Sequence, residues 1–458
     1  MNGGTAPTQK SVFVISKDTF FLTRVTELLA DFPDFKFERA EDLNAFTEIT
    51  DTLHPFLFLI DGNLGQGPVQ EWTQTLKMSF EKIPLIVFHT TSTPLNFESI
   101  RKNGADRLIH FNFDKEFIIE LLLEIIPYDF PDSQIPLSAL NSIDSGDLSS
   151  DLEINFDVFV HLPYNKKTIL YRKKGAVLET NKVKKIESQD QRLYFKKTEK
   201  KQFLEYARTA LTLANKDNPV AETERALKSK KLIFEIMSEF FDQESTDFKG
   251  GKIIYERCRE IVQDYDLLKP HTTQEAFAKV LRYAGQERTF YNEAINLCVF
   301  SAMFGHMLNL GSEQIESLAL AGLLHNIGLS YIDNFELQTD VSTLSQDQLT
   351  MYYTYPEKSV LMIKSKKVPL PPIVADTIIE HRENMDGSGF PNHISATIKL
   401  LPRILRIAYE FQTMTALTKN QNKRTATSAL IEMKEKVMAS QIPLDLNTVL
   451  NLAKAAKA

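Results

Sequence analysis

The chain has 458 residues, too long for one ordinary domain, so two to four domains are expected. Hydrophobic residues at 43% and charged residues at 25% exclude wholesale disorder, and a net charge of −7 from 53 basic and 60 acidic residues excludes a general attraction to nucleic-acid polymers or anionic membranes. Two cysteines, Cys258 and Cys298, give no disulfide framework or zinc cluster, no apolar run approaches the ~20 residues that span a bilayer, and Met1–Lys10 lacks the apolar core of a signal peptide, so a cytoplasmic protein without membrane insertion is expected.

Along residues 11–128, short β-rich runs alternate with helical spacing. Ser11–Ile15, the wholly apolar Phe56–Ile60, Pro84–Phe88 and the weaker Arg107–Phe111 read as strands, and Phe20–Phe32 as a helix. Strands alternating with helices predict a doubly wound α/β domain around a parallel sheet. Residues 129–153 collect Pro131, Pro136, Gly146 and several serines without periodicity and read as a linker. Residues 154–198 read as a small β-rich or α+β module. Its strands are Phe156–His161, Thr168–Tyr171 and Arg192–Phe195, its turns lie at Tyr164–Lys167 and Gly175, and its lysines (Lys166, Lys167, Lys173, Lys174, Lys182, Lys184, Lys185) form a solvated face. Residues 199–250 read as a helical connector, with helices over Glu205–Ala214 and Glu222–Phe241. Residues 251–440 read as an all-α bundle with helices over Glu293–Leu310, Glu313–Leu324, Val374–Glu383, Pro402–Thr415 and Thr425–Met438, the second capped by Ser312.

The strand Val12–Ile15, the strand ending in Asp61, the strand Pro84–Phe88 and the Gly104-Ala105-Asp106 turn resemble a response-regulator receiver domain. The resemblance places Asp61 at the phospho-accepting aspartate. It places Ser16 and Lys17 where the family holds magnesium with an acidic pair, leaving Asp18 beside them. His89 stands at the small hydroxyl residue, Phe111 at the lysine and Asn112 at the proline. Phosphoryl transfer needs a divalent cation and a lysine to neutralise charge, so Asp61 is expected to be a pseudo-phosphoacceptor, with Lys17 placed to pair with it.

Leu323-Leu324-His325-Asn326-Ile327-Gly328 and His381-Arg382-Glu383-Asn384-Met385-Asp386-Gly387-Ser388-Gly389-Phe390-Pro391, followed by Arg403-Ile404-Leu405-Arg406-Ile407-Ala408, resemble the HD-GYP domain over about residues 250–440. That resemblance implies an HD-type helical bundle and hydrolysis of cyclic di-GMP by two or three iron or manganese ions. Carried over residue by residue, the ligand set keeps His325 and His381. It places Glu293 at the first histidine, Asn326 at the aspartate of the HD pair, Tyr355 at the histidine before the helical proline, Arg382 at the second of the paired histidines and Tyr409 at the late aspartate. The lysine after the HD signature is Leu329. An amide cannot bridge two cations as a carboxylate does, and Arg382 adds positive charge where a cation would sit.

The expected function is therefore a catalytically impaired or inactive HD-GYP-type signalling protein, a scaffold or regulator in a cyclic di-GMP or two-component-like pathway, with no metal. The resemblance implies that the loop Asp386, Gly387, Ser388, Gly389, Phe390 and Pro391 docks signalling partners, GGDEF domains among them, with Phe390 as an aromatic anchor. Arg382 and Arg403, with Arg406 nearby, are candidate contacts to cyclic di-GMP, and the long helix Glu222–Phe241 makes a homodimer an expectation. The alternative is a cyclic di-GMP phosphodiesterase or other metal-dependent phosphohydrolase with a reduced site in which His325, His381 and Glu293 hold a single iron, manganese or zinc ion, assisted by Asp386 or Glu383.

Overall fold

A computed structural model describes residues 9–42, 46, 54–113, 115–131, 135–149, 152–162, 167–179, 181, 192–213, 221–242, 246–284, 289–332, 335, 337, 340–416 and 424–457. The chain divides into two compact units, Met1–His89 with Thr93–Lys228, and Thr90–Ser92 with Ser229–Ala458.

In the first unit, β1 (Lys10–Ile15), β2 (Phe35–Ala40), β3 (Pro55–Asp61), β4 (Leu85–His89) and β5 (Arg107–His110) form a parallel sheet in the order β2-β1-β3-β4-β5. Helices α1 (Thr19–Leu28), α2 (Gln66–Ser79), α3 (Phe97–Lys102) and α4 (Lys115–Ile125) alternate with the strands. The apolar runs of β3 and β4 are buried, as a parallel sheet covered by helices requires, and Phe13, Phe46, Phe58 and Trp72 build one side of the core. Strand β2 went unrecognised in the sequence because it lies half-exposed at the sheet edge, and its Phe-Lys-Phe-Glu-Arg-Ala run shows no apolar stretch.

A second sheet follows, antiparallel, in the order β6 (Leu140–Ile143), β9 (Leu193–Lys196), β7 (Val158–Leu162) and β8 (Lys167–Arg172). Residues 129–153 are thus not wholly a linker. Leu140–Ile143 pairs with Leu193–Lys196 as an edge strand, its apolar residues reaching the core despite the serine-rich surroundings. Helix α5 (Lys200–Leu213) is likewise part of this module rather than a connector, because Phe203, Tyr206, Ala207 and Ala210 pack on Phe156 and Phe195. Helix α6 (Glu222–Phe241) is capped at a distance in sequence by buried Asp147, whose carboxylate accepts from the N–H groups of Glu222 and Thr223 at 2.9 and 2.7 Å. Lys167, Lys173 and Lys174 are exposed, as expected of a solvated face. Lys166, Lys182, Lys184 and Lys185, with most of the expected Tyr164–Lys167 turn, lie outside the described residues.

The second unit contains no strand among its described residues. Its helices are α7 (Phe248–Asp264), α8 (Thr273–Tyr283), α9 (Phe290–Met307), α10 (Ser312–Leu324), α11 (Gln346–Ser365), α12 (Pro372–Glu380), α13 (Leu400–Thr415), α14 (Ala426–Met438) and α15 (Leu446–Ala455). Helix α9 is buried almost throughout and packs on α8, α10 and α13. Gly322 lets α10 approach α9, since a Cβ there would lie 2.6 Å from the Leu297 carbonyl oxygen. Gly311, not Ser312, caps α10. Ser312 is already helical, and the Gln314 side chain accepts from the Gly311 N–H at 3.2 Å. No helix of the described residues is long and apolar enough to cross a membrane.

Candidate functional site

At the C-terminal ends of β1 and β3, Asp61 is 3% exposed and borders a cavity of about 680 Å³ also lined by Lys17, Asp18, Glu41, Asp42, Glu71 and Trp72. Its carboxylate accepts from the Ser16 hydroxyl at 2.7 Å and from the Asn63 N–H at 2.9 Å. Burial raises its pKa despite these bonds. The partner of Asp61 is therefore Ser16 and not Lys17, which is exposed; its neighbour Asp18 caps α1 by accepting from the Phe20 N–H. Phe111 is buried, stacks on Phe88 at 4.8 Å, and carries the Arg24 guanidinium over its ring at 4.3 Å. An aromatic contact thus stands where the resemblance expects a lysine ammonium.

In the second unit, His325 ends α10, His381 ends α12, and Glu293, Tyr355 and Tyr409 come from α9, α11 and α13. The structure brings all of them together with Arg382. The two histidine rings meet edge-on at 5.3 Å, and Glu293 Oε1 lies 3.8 Å from His325 Nε2. The proton on each histidine follows from its neighbours. His381 Nδ1 meets the Ile378 carbonyl at 2.5 Å and must donate to it. The neutral ring's Nε2 then carries a lone pair, so the Tyr355 hydroxyl at 2.8 Å donates to it, and Arg382 Nη1, which can only donate, is accepted by the same hydroxyl at 3.4 Å. The hydrogen bonds run in one direction, from Arg382 through Tyr355 and His381 to Ile378. Burial, with His325 and Arg382 adjacent, holds His381 well below the ordinary histidine range, and burial holds the Tyr355 hydroxyl well above the ordinary tyrosine range. Arg382 Nη2 also donates to Tyr352 at 3.2 Å, and its guanidinium sits over the Tyr409 ring at 4.1 Å and the Phe390 ring at 4.9 Å.

These groups do not fit a centre of two or three ions. His381 has both nitrogens engaged, Tyr355 stays a neutral phenol, Asn326 is an amide, and a guanidinium lies among them. For a single ion, His325 Nε2 and Glu293 remain, one donor short of the three that protein sites supply to zinc. Among the described residues no three histidine, cysteine or acidic side chains are arranged to hold a metal ion. His325 Nδ1 is held by the Gly322 carbonyl at 2.7 Å, while its Nε2 and both side-chain atoms of Asn326 are buried without a hydrogen-bond partner.

Glu383, expected as an assisting acid, instead closes the loop that follows. Its two carboxylate oxygens accept from the Asn392 and Ile394 N–H groups at 2.6 and 3.1 Å. Asp386 is tied to Ser388 by a short turn. Gly389 is required, because a Cβ there would lie 2.5 Å from the Arg382 carbonyl oxygen. Phe390 is not an outward anchor. It is 9% exposed and turned against Tyr353, Tyr352 and Arg382, leaving Asp386 and Ser388 as the exposed side of the loop. Arg403 donates to the Ile398 carbonyl and to Asp445, and Arg406 to Asn384 and Glu410, so neither is poised for a ligand. Tyr352 was missed in the sequence. Its signal was the i, i+3 spacing to Tyr355 on one helix face.

Residues 258–442 match the HD domain family. The cyclic di-GMP phosphodiesterase PdeB of Borreliella burgdorferi is 21% identical over 174 residues, 38% of this chain and 44% of that protein, so the chain spans less than half the length of this relative. Among solved structures, a HDG"Y"P protein from Bdellovibrio bacteriovorus overlays 70% of this chain and 100% of that chain with a TM-score of 0.41 and 18% identity. The signal receiver domain of an HD domain-containing protein from Pseudomonas fluorescens overlays 27% of this chain and 92% of that chain with a TM-score of 0.23 and 14% identity.

Proposed function

We propose that this chain, whose residues 258–442 match the HD domain family and which resembles HD-GYP proteins with a receiver-like domain before them, is a signalling regulator that keeps the HD fold without hydrolysing cyclic di-GMP. The observation that carries this reading is the Arg382–Tyr355–His381 chain. It spends both nitrogens of one surviving histidine and sets a fixed cation among the positions that metal ions would need. Hydrolysis of a phosphodiester by this family's chemistry depends on ions that activate water and neutralise the developing charge. Here the charge among those positions is a guanidinium, which activates no water as a metal ion would. The receiver-like domain supports the same reading, since Ser16 and Phe111 stand where the resemblance expects an acidic residue of the magnesium pair and the lysine, although Lys17, Asp18, Glu41, Asp42 and Glu71 line the cavity around Asp61. In this proposal the output is contact with other signalling proteins, GGDEF-type domains among them, through the exposed Asp386 and Ser388 of the loop, or with a second copy of the chain.

The test is metal content and turnover. Purified protein is expected to carry iron, manganese and zinc well below one equivalent and to leave cyclic di-GMP intact when either iron or manganese is supplied. One equivalent of metal that disappears in a His325→Ala/His381→Ala double variant, together with turnover, would favour the single-ion hydrolase and overturn this reading.

A further inference from the structure

A guanidinium has five N–H donors and a charge that needs an anion when it leaves bulk water. The neighbouring arginines follow that rule: Arg403 pairs with Asp445 at 3.3 Å and Arg406 with Glu410 at 3.0 Å. Arg382 does not. Among the described residues it pairs with no carboxylate. Its hydrogen-bond acceptors are two phenol oxygens at 3.4 and 3.2 Å, and its guanidinium carbon lies 4.1 Å from the Tyr409 ring and 4.9 Å from the Phe390 ring. Phenols at these distances satisfy two donors weakly and supply no negative charge, since Tyr355 is held protonated. Arg382 nevertheless keeps some solvent access. A recessed cation with three donors beyond those two phenols and rings beside it is complementary to an oxyanion.

We propose that Arg382 is a receptor for a phosphoryl group, bound and not turned over, with the rings of Tyr352, Phe390 and Tyr409 holding its guanidinium in place. A guanidinium fork accepts two phosphoryl oxygens side by side, and the higher charge of phosphate gains more than a carboxylate from one uncompensated cation. The proposal rests on the non-hydrolytic reading only in that the ligand stays whole.

Modification of arginine by phenylglyoxal, read peptide by peptide by mass spectrometry on the full chain, tests it. Arg382 is expected to react, and inorganic phosphate or guanosine 5′-monophosphate is expected to slow that reaction at least tenfold, while acetate at equal ionic strength does not. Protection by the monophosphate alone assigns the site to a phosphate ester; protection by both assigns it to the phosphoryl group itself. Equal protection by acetate, or an Arg382 that is unreactive without ligand, overturns the proposal. A calorimetric titration of Arg382→Gln with the protecting ligand is expected to show at least a tenfold loss of affinity, and Arg382→Lys a smaller one. Hydrolysis of cyclic di-GMP with Arg382 still protected would remove the regulator reading and leave the anion site standing; absence of protection without hydrolysis would do the reverse.

Discussion

Tyr355 has one proton and two demanding neighbours. It gives the proton to His381 and receives one from Arg382. Tyr355→Phe keeps the ring and removes both bonds, leaving a buried imidazole nitrogen bare. It is expected to destabilise the second unit by about 1–3 kcal/mol, read as a shift in the urea midpoint with an unchanged slope. His381 makes the unit acid-sensitive in a defined window. Its folded-state pKa lies well below the ordinary 6.5, so the unfolded chain takes up its proton first as pH falls. The stability it contributes is present above pH 6.5 and is lost below it, by up to ~1.4 kcal/mol for each pH unit until the folded value is reached. Urea midpoints between pH 8 and pH 5 should fall accordingly, and His381→Asn should flatten that fall. An unchanged slope in the variant would show that another group carries the acid response.

At the scale of elements, the junction between α10 and α11 has no room to spare. The turn after Asn326 passes so close to α11 that a Cβ on Gly328 would collide with the backbone of Tyr355 and lie 2.6 Å from the Ser359 nitrogen. The Ser359 hydroxyl accepts from the Gly328 N–H and donates to the His325 carbonyl, both at 2.9 Å. Gly328→Ala is expected to cost about 1–3 kcal/mol or more through overpacking, measured by thermal unfolding. Glu383→Gln keeps the shape but weakens the clasp on Asn392 and Ile394, and faster amide exchange confined to the loop after it is the expected outcome. These elements differed in how far the sequence showed them. The helices at Glu222–Phe241 and Pro402–Thr415 were legible because their apolar spacing is continuous, as were β3 and β4 because they are wholly apolar. Strands β2 and β6 were not, since β2 buries only Ala40 and β6 is four residues long and sits among serines. The ligand positions His325, Tyr355, Arg382 and Tyr409 could be listed from motif order. What could not be read was direction: whether Phe390 faced out or in, and whether Asp61 took Ser16 or Lys17, because these depend on contacts between residues far apart in the chain.

For the whole molecule, the function proposed above makes the same demand of both units: neither should manage the charge of a phosphoryl reaction. In the first unit Phe111 stacks on Phe88 where the receiver resemblance expects a lysine, and Ser16 donates to Asp61 where it expects an acidic residue. Incubation of the full chain with acetyl phosphate and magnesium is therefore expected to leave its intact mass unchanged. A phosphoryl adduct lost in Asp61→Asn would show that the first unit still accepts phosphate. The sequence of donors from Arg382 to Ile378 also bears on what single substitutions can do. Histidine at position 382 alone would take the donor from Tyr355, and histidine at position 355 alone would face a guanidinium. Neither step yields a metal site, because Asn326 and Tyr409 would still be unsuited to one. Each such change costs a hydrogen bond of the present chain before any metal site is complete, so single substitutions are expected to lower stability without creating metal binding.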